Sequence, residues 1–205
     1  MTGDARLDRE TLQASLDGFE PVVTETDTHR AASVVLVVLG DGAGGSAIPL
    51  TMRPGTMRAH PAQFALPGGS VDAGETGVEA AVRELEEELG IRVAAEDVLG
   101  RMDDYVTRSG FVITPFVAWT DMDFDSVCPN PDEVEEVFAV STDELSAVPR
   151  FIEIPESSKP VIQWPFREHL IHAPTGAIMH QFSQLALYGE HTRVDGFDQP
   201  VFAWK

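Results

Sequence analysis

The chain has 205 residues, of which 43% are hydrophobic, so it can build one sizeable core with at most a small appendage. Its 34 acidic residues outnumber its 14 lysines and arginines, and the resulting net charge of −20 argues against binding to a nucleic-acid backbone. No apolar run reaches the roughly 18 residues of a membrane-spanning helix. Because Cys128 is the single cysteine, the chain cannot form an internal disulfide. The charged first residues lack a signal-peptide core, so a cytoplasmic location is expected.

Hydrophobic periodicity and turn residues predict the elements of the first part of the chain. A short amphipathic helix is expected within residues 6–19, and a polar lead-in follows over residues 21–30. The next predicted elements are strands over residues 33–39, 48–53 and 64–66.

Three glutamates, Glu84, Glu87 and Glu88, follow a Pro-Gly-Gly turn at spacings of i, i+3 and i+4. At roughly 100° per residue, this spacing places all three on one face of a helix. Carboxylate oxygens are hard ligands that suit Mg²⁺ or Mn²⁺. The glutamates also repel one another unless a cation compensates them, because like charges at i, i+4 destabilise a helix. The sequence therefore predicts an acidic metal site beside a glycine-rich turn.

Another face of the same helix is predicted to enter the core. Its apolar stripe consists of Val78, Val82, Leu85 and Leu89. Thr76 and Glu79 have the spacing of a capping box at the start, and Gly90 is a favoured terminator. Arg83 has acidic neighbours at i−4 and i+4, Glu79 and Glu87, and an ion pair with each is expected.

Further strands are expected after this helix. They cover residues 98–106, 110–120 and 134–140. Ser141 is a predicted cap for a short helix over residues 142–148, and a last helix is expected over residues 175–188. Residues 149–170 contain four prolines and are predicted to be irregular. Strands before and after a helix, with two helices near the end, indicate a mixed sheet between helices.

Residues 69–91 fit the pattern G-x5-E-x7-R-E-U-x-E-E-x-G-U, in which U is aliphatic. The matching residues are Gly69, Glu75, Arg83, Glu84, Leu85, Glu87, Glu88, Gly90 and Ile91. In this pattern the chain resembles the Nudix hydrolases. The resemblance implies an α/β fold of the Nudix type, an α/β/α sandwich with a central mixed β-sheet. It also implies an enzyme that splits a diphosphate linked to another moiety, by attack of water on phosphorus.

The same resemblance implies roles for individual residues. Glu84, Glu87 and Glu88 would bind Mg²⁺ or Mn²⁺, with the backbone of Gly69 as a further ligand. Glu75 and Arg83 would organise the site. The base is not fixed to one position in the family. The candidates for catalysis are Glu84, Glu87, Glu133 and Glu136.

A narrower resemblance lies just upstream. Residues 50–69, LTMRPGTMRAHPAQFALPGG, are similar to the coenzyme A diphosphatase motif L-L-T-x-R-(S/A)-x3-R-x3-G-x3-F-P-G-G. Pro49, which stands in place of one leucine, and Pro54, Ala62 and Leu66 depart from that motif. The change to Ala62 affects the choice of coenzyme A more than diphosphate hydrolysis. Coenzyme A carries a 3′-phosphate, and arginine forks bind phosphate well. The implied substrate-binding residues are Arg53, Arg58, Pro67 and Gly68.

The leading hypothesis is therefore hydrolysis of coenzyme A or acyl-CoA to 3′,5′-ADP and a 4′-phosphopantetheine compound. One alternative is another substrate such as ADP-ribose, NADH or a nucleotide sugar, and a second is a non-catalytic module of the same fold. The expected organisation is a lead-in (1–30), a Nudix core (31–150) and a C-terminal extension (151–205) that packs on the same domain. The expected partner is a small phosphoanhydride, without nucleic acid or membrane, and a homodimer is compatible with the family.

Overall fold

The computed structural model describes residues 6–25, 28–55 and 63–204. Its α-helices are α1 (Arg9–Asp17), α2 (Gly77–Leu89), α3 (Thr142–Leu145) and α4 (Thr175–Tyr188). Its strands are β1 (Arg30–Gly40), β2 (Ser46–Met52), β3 (Phe64–Ala65), β4 (Gly68–Ser70), β5 (Val98–Arg101), β6 (Tyr105–Val106), β7 (Phe111–Asp123), β8 (Glu136–Ser141), β9 (Arg150–Ile152), β10 (Val161–Phe166) and β11 (His169–His172). No helix in the described part of the chain combines the length and the apolar character needed to cross a membrane.

The long strand β1 organises the main sheet. The sheet runs in the order β3-β2-β1-β7-β5, while β4 pairs with β1, β6 with β7 and β8 with β2. β1 and β7 are parallel, and the other pairs are antiparallel. A parallel pair needs a long crossover connection, and α2 lies in the segment that links these two strands. The predicted mixed sheet is confirmed.

Side chains of β1 alternate between two apolar layers, as the two-residue period of a strand requires. Leu36 and Val38 belong to the layer that contains α1 and α4. Val35 and Val37 belong to the layer that contains α2. Helices therefore cover both faces of the sheet, and the predicted α/β/α sandwich is confirmed.

The first apolar layer draws residues from almost the whole chain. Leu12 of α1 is 2% exposed and Phe182 of α4 is fully buried, and both belong to this layer. The predicted lead-in and C-terminal extension thus contribute to the same core as the central part. The boundaries at residues 30 and 150 remain predictions.

The prediction that residues 149–170 are irregular is wrong. They contain β9 and β10 and reach into β11, which form a second antiparallel sheet. Pro165 lies inside β10 opposite Leu170, but β9 pairs only with residues 161–163, so β10 is an edge strand at the proline. An edge strand tolerates the missing N–H. Trp164 of β10 is fully buried in the core.

The predicted strand over residues 98–106 is instead two short strands, β5 and β6. Asp103 and Asp104 lie between them, and both are buried. Their carboxylates accept hydrogen bonds from the backbone N–H groups of Val22 and Thr24, at 2.8 Å and 2.7 Å. These bonds tie the segment after α1 to the sheet, so this stretch is a polar junction rather than continuous strand.

Candidate active site

The helix α2 begins and ends as its sequence predicts. Thr76 and Glu79 form the capping box, and Gly90 has the left-handed conformation with φ 68°. The apolar stripe is only partly as expected, because Leu85 is fully buried whereas Val78 is half-buried. Glu79 is committed to the cap, where its carboxylate accepts the Thr76 N–H at 2.7 Å. Among the described residues, Arg83 forms ion pairs with Glu75, Glu84 and Glu87 but not with Glu79. The expected pair between Glu79 and Arg83 is therefore wrong.

Three carboxylates converge at one end of α2. Glu84, Glu88 and Glu133 each place an oxygen within 4.8 Å of the other two. The atoms that could bind a metal here are all carboxylate oxygens, and Mg²⁺ and Mn²⁺ prefer oxygen ligands. We call these residues the carboxylate triad.

Glu133 reaches the triad because its loop docks on the C-terminal end of α2. The last carbonyls of a helix lack partners within the helix. Here the Asn130 N–H donates to the Glu88 carbonyl at 2.8 Å, and the Cys128 N–H donates to the Leu89 carbonyl at 3.0 Å. The Glu133 N–H in turn donates to the Asn130 carbonyl at 3.1 Å. The loop therefore completes the helix and fixes the third carboxylate.

Glu88 is the buried member of the triad, with 5% of its surface exposed. Within the described ranges its carboxylate accepts one hydrogen bond, from the Gly68 N–H at 3.3 Å. Burial raises the pKa of Glu88 to about 8, and the neighbouring charge of Glu84 adds to this effect. A buried carboxylate with so little compensation is costly. A divalent cation would supply the missing charge, so the triad fits the metal that the sequence predicts.

Arg83 is the hub of a second group of carboxylates. Its Nε donates to Glu75 at 2.9 Å, and its Nη1 donates to Glu84 at 2.9 Å and to Glu87 at 3.0 Å. The hydrogen bond from Arg83 lowers the pKa of Glu75. Burial raises the pKa of Glu84 despite the opposing effect of Arg83. Arg83 thus fixes the orientation of Glu84.

Two other predicted site residues lie apart from the triad. Glu87 has a side chain that is 52% exposed, and it contacts Arg83. Glu136 is exposed at the start of β8. Among the described residues, neither joins the carboxylate triad. The metal-binding role of Glu87 and the catalytic role of Glu136 therefore remain predictions.

The Pro-Gly-Gly turn lies between the triad and β1. A Cβ at Gly69 would lie 2.6 Å from the Glu84 Cδ, and one at Gly68 would lie 2.6 Å from the Val34 Cα. Gly68 also has φ 151°, which side-chain-bearing residues rarely adopt. Pro67 is buried, and its carbonyl accepts the Val35 N–H at 2.9 Å. The turn is thus held against β1 and directly faces Glu84 and Glu88.

A cavity of about 380 Å³ opens beside this turn. We call it the main cavity. Its lining residues are Ala32, Val34, Arg53, Gln63, Phe64, Ala65, Leu66, Gly68, Gly69, Ser70, Thr107, Ser109, Phe111, Ile113, Pro174, Thr175, Ile178 and Gln199. A wider depression along α2 is lined by Glu75 and Arg83, whereas the main cavity is lined by Gly68 and Gly69, which contact Glu88 and Glu84 of the triad, so the main cavity is the candidate substrate site.

Arg53 is the predicted substrate-binding residue that lines the main cavity. Its Nε is buried and has no hydrogen-bond partner among the described residues. The positive charge of Arg53 opposes the rise in the pKa of Glu88, so Arg53 lies near the triad. Arg58, the other predicted arginine, falls outside the described residues. Pro67 supports the turn through its backbone and does not line the main cavity.

The sequence missed one wall of the main cavity. Thr175, Ile178 and Gln199 lie in the C-terminal part of the chain, for which no motif was available. The helix over residues 175–188 was predicted correctly, but periodicity alone does not show which residue of a buried helix meets a cavity. The fold brings this wall to the Pro-Gly-Gly turn, since the Thr175 hydroxyl donates to the Phe64 carbonyl at 3.4 Å.

Known structures share this architecture. A MutT/nudix family protein from Enterococcus faecalis superposes with a TM-score of 0.54 over 90% of this chain and 71% of that one, at 14% sequence identity. At that identity the likeness concerns the fold alone.

Sequence relatives extend the match. Nudix hydrolase 3 of Caenorhabditis elegans is 33% identical over 60% of this chain and 52% of its own length. The Nudix hydrolase NudL of Photorhabdus laumondii is 30% identical over 78% of this chain and 86% of its own length. The peroxisomal coenzyme A diphosphatase NUDT7 of Mus musculus is 34% identical over 54% of this chain and 47% of its own length. The chain thus spans about half the length of the nematode and mouse relatives.

The NUDIX domain family matches residues 27–165, which include the Pro-Gly-Gly turn, α2 and the loop of Glu133. This range covers well over half of the sequence and contains the whole carboxylate triad. The chain therefore belongs to the Nudix hydrolase family.

Proposed function

We propose that this protein hydrolyses the diphosphate linkage of coenzyme A or acyl-CoA to 3′,5′-ADP and a 4′-phosphopantetheine compound. The proposal is supported by the carboxylate triad beside a cavity lined by Arg53, whose buried Nε has no hydrogen-bond partner in the described part of the chain. The triad supports diphosphate chemistry, and the arginine supports a phosphate-rich substrate.

The chemistry needs charge neutralisation, a positioned water and a proton acceptor. Glu84, Glu88 and Glu133 would hold Mg²⁺ or Mn²⁺, which neutralises a diphosphate and lowers the pKa of bound water. A triad carboxylate accepts the proton of the attacking water, as a general base. One water molecule is consumed and one P–O bond of the anhydride breaks, so each product keeps one of the two anhydride phosphates and 3′,5′-ADP also keeps the 3′-phosphate. Arg83 keeps Glu84 in position during this step.

The choice of coenzyme A rests on two further points. Arg53 belongs to the upstream motif that resembles the coenzyme A diphosphatase subgroup, and it lines the main cavity. A mouse relative is named a peroxisomal coenzyme A diphosphatase, at 34% identity over 112 residues. An arginine in this place suits a substrate with three phosphates better than it suits an uncharged substrate, because a guanidinium binds phosphate oxygens in pairs.

A substrate panel with product identification tests the proposal. The full chain is incubated with Mg²⁺ or Mn²⁺ and coenzyme A, dephospho-coenzyme A, ADP-ribose, NADH or a nucleotide sugar, and products are separated by chromatography. We expect coenzyme A to be preferred and 3′,5′-ADP to appear. Arg53→Ala should lower turnover of coenzyme A, whereas Arg92→Ala, whose side chain is 83% exposed, serves as the matched control. Arg58→Ala should reduce the preference over dephospho-coenzyme A.

The panel also separates the alternatives. Good turnover of another dinucleotide without turnover of coenzyme A would replace the substrate and keep the chemistry. Binding without hydrolysis under Mn²⁺ would favour a ligand-binding module. Mg²⁺ or Mn²⁺ as the metal, a cytoplasmic location and a homodimer belong to the same proposal, and metal titration, cell fractionation and sedimentation test them in turn.

A further inference from the structure

One wall of the main cavity lies outside the part of the chain that matches the NUDIX family. The match covers residues 27–165, whereas Pro174, Thr175, Ile178 and Gln199 also line the main cavity. The first three lie at the start of α4, and Gln199 lies after it. The segment beyond the family match therefore builds part of the space beside the triad.

Gln199 is a buried amide with spare hydrogen-bond donors. It is 4% exposed, and its Oε1 accepts the Arg108 N–H at 2.8 Å. Because a backbone N–H can only donate, this bond fixes which end of the amide is the oxygen. Among the described residues its Nε2 donates no hydrogen bond, and Nε2 is not one of the fully buried atoms that lack a partner. Because Gln199 lines the main cavity, these N–H groups are open to solvent and free to donate to a ligand there.

Neighbouring contacts hold Gln199 in place. Its N–H donates to the Asp198 carboxylate at 2.8 Å, and its carbonyl accepts the Trp204 indole N–H at 2.8 Å. Asp198 is in turn paired with Arg108. The amide is thus fixed before any ligand arrives, which reduces the entropy lost on binding.

The lining of the main cavity defines the chemistry of its occupant. Arg53 is its one charged lining residue among those described, although the chain carries a net charge of −20. Phe64, Phe111, Ile113 and Ile178 supply apolar surface. Ligand sites typically measure about 300–1,000 Å³, so a cavity of about 380 Å³ takes one part of a dinucleotide-like substrate. Arg53 suits a phosphate of that substrate, and the rest of the lining, which is uncharged among the described residues, suits a neutral, partly apolar group with a hydrogen-bond acceptor.

We propose that Gln199 and Ile178 determine specificity by binding the neutral organic group attached to the diphosphate. The Gln199 amide donates to a carbonyl oxygen or ring nitrogen of that group, and Ile178 packs against its apolar surface. This inference rests on the proposed diphosphatase function, and it names the C-terminal segment as the part of the chain that selects the substrate.

Binding of the two halves of coenzyme A tests the inference without requiring turnover. Calorimetry measures the Kd of 3′,5′-ADP and of 4′-phosphopantetheine for the full chain. Gln199→Glu keeps the acceptor for Arg108 and removes the donors. Gln184→Glu makes the same chemical change on α4 outside the main cavity and is the matched control. We expect Gln199→Glu to weaken one half about tenfold or more, because it leaves an acceptor facing an acceptor, and the control to bind as wild type.

A second pair of variants guards against misfolding. Ile178→Ala should weaken the same half about threefold to tenfold, whereas Leu187→Ala, on α4 and outside the main cavity, should not. Thermal unfolding checks that all variants fold.

Three results would overturn the inference: wild type binding neither half, equal losses in variants and controls, or losses on different halves. A chain that binds one half through Gln199 but hydrolyses no diphosphate would refute the proposed function and leave this inference standing.

Discussion

Gly69→Ala perturbs the site through a single methyl group. The new Cβ would lie 2.6 Å from the Glu84 Cδ, whereas carbon atoms normally approach no closer than about 3.5 Å. The Glu84 carboxylate must therefore move by about 1 Å, because Gly69 is fixed in β4 by its pairing with Ser33 of β1. The displaced atoms are the far end of a flexible side chain, so the fold should tolerate the change.

A displacement of this size has a predictable cost for catalysis. Misplacing a reacting group by 1 Å reduces rates about 100-fold, and we expect this loss in kcat/KM. The assay is turnover of the best panel substrate under saturating Mn²⁺, together with the melting temperature. Gly196→Ala, where an added Cβ meets nothing within 4 Å, is the control. Wild-type kcat/KM in a folded Gly69→Ala protein would refute the close approach of the turn to Glu84.

The remaining predictions concern the triad, its hub and a buried ion pair. Glu133→Gln should weaken Mn²⁺ binding by about tenfold or more, whereas the exposed Glu136→Gln should change it by no more than about twofold; equal effects in a Mn²⁺ titration would contradict the geometry. Arg83→Lys cannot reproduce the forked contacts and should lower kcat/KM about 10- to 100-fold with a small change in melting temperature, and rescue by lysine would argue for charge alone. Burial would raise the pKa of Asp198, but hydrogen bonds, chiefly from Arg108, lower it from 3.8 to about 2. A lowered pKa stabilises the folded state above the unfolded pKa, so Asp198→Asn should cost about 2 kcal/mol of unfolding free energy at pH 6. That difference should shrink as the pH falls from about 4 towards 2. Urea unfolding measures the free energy across this range, and a difference that stays constant would contradict the prediction.

Local signals predicted most of the elements that carry the site. The cap of Thr76, the stop at Gly90 and the spacing of the glutamates each depend on residues within one helix, and the structure has the predicted helix boundaries. The Nudix resemblance, the hydrolase class and the sandwich fold are likewise confirmed, because their pattern lies within one turn and one helix.

What the sequence could not provide depends on contacts between distant segments. Glu133 was one of several candidates, and only its loop's hydrogen bonds to the end of α2 distinguish it from Glu136. No sequence motif pointed to Gln199, because the fold alone brings the C-terminal segment to the cavity that Gly68 and Gly69 also line. Pro165 in β10 led to a wrong prediction for the same reason, since local turn chemistry does not reveal which backbone groups a neighbouring strand leaves unpaired.

The central claim is that the carboxylate triad binds divalent cations. Electron paramagnetic resonance of Mn²⁺ measures this directly, by comparing free and bound metal for wild type and for Glu88→Gln in the absence of substrate. We expect saturable binding by wild type and a loss of affinity of at least about tenfold in the variant, which retains its fold. Equal Mn²⁺ affinity in the two proteins would contradict it.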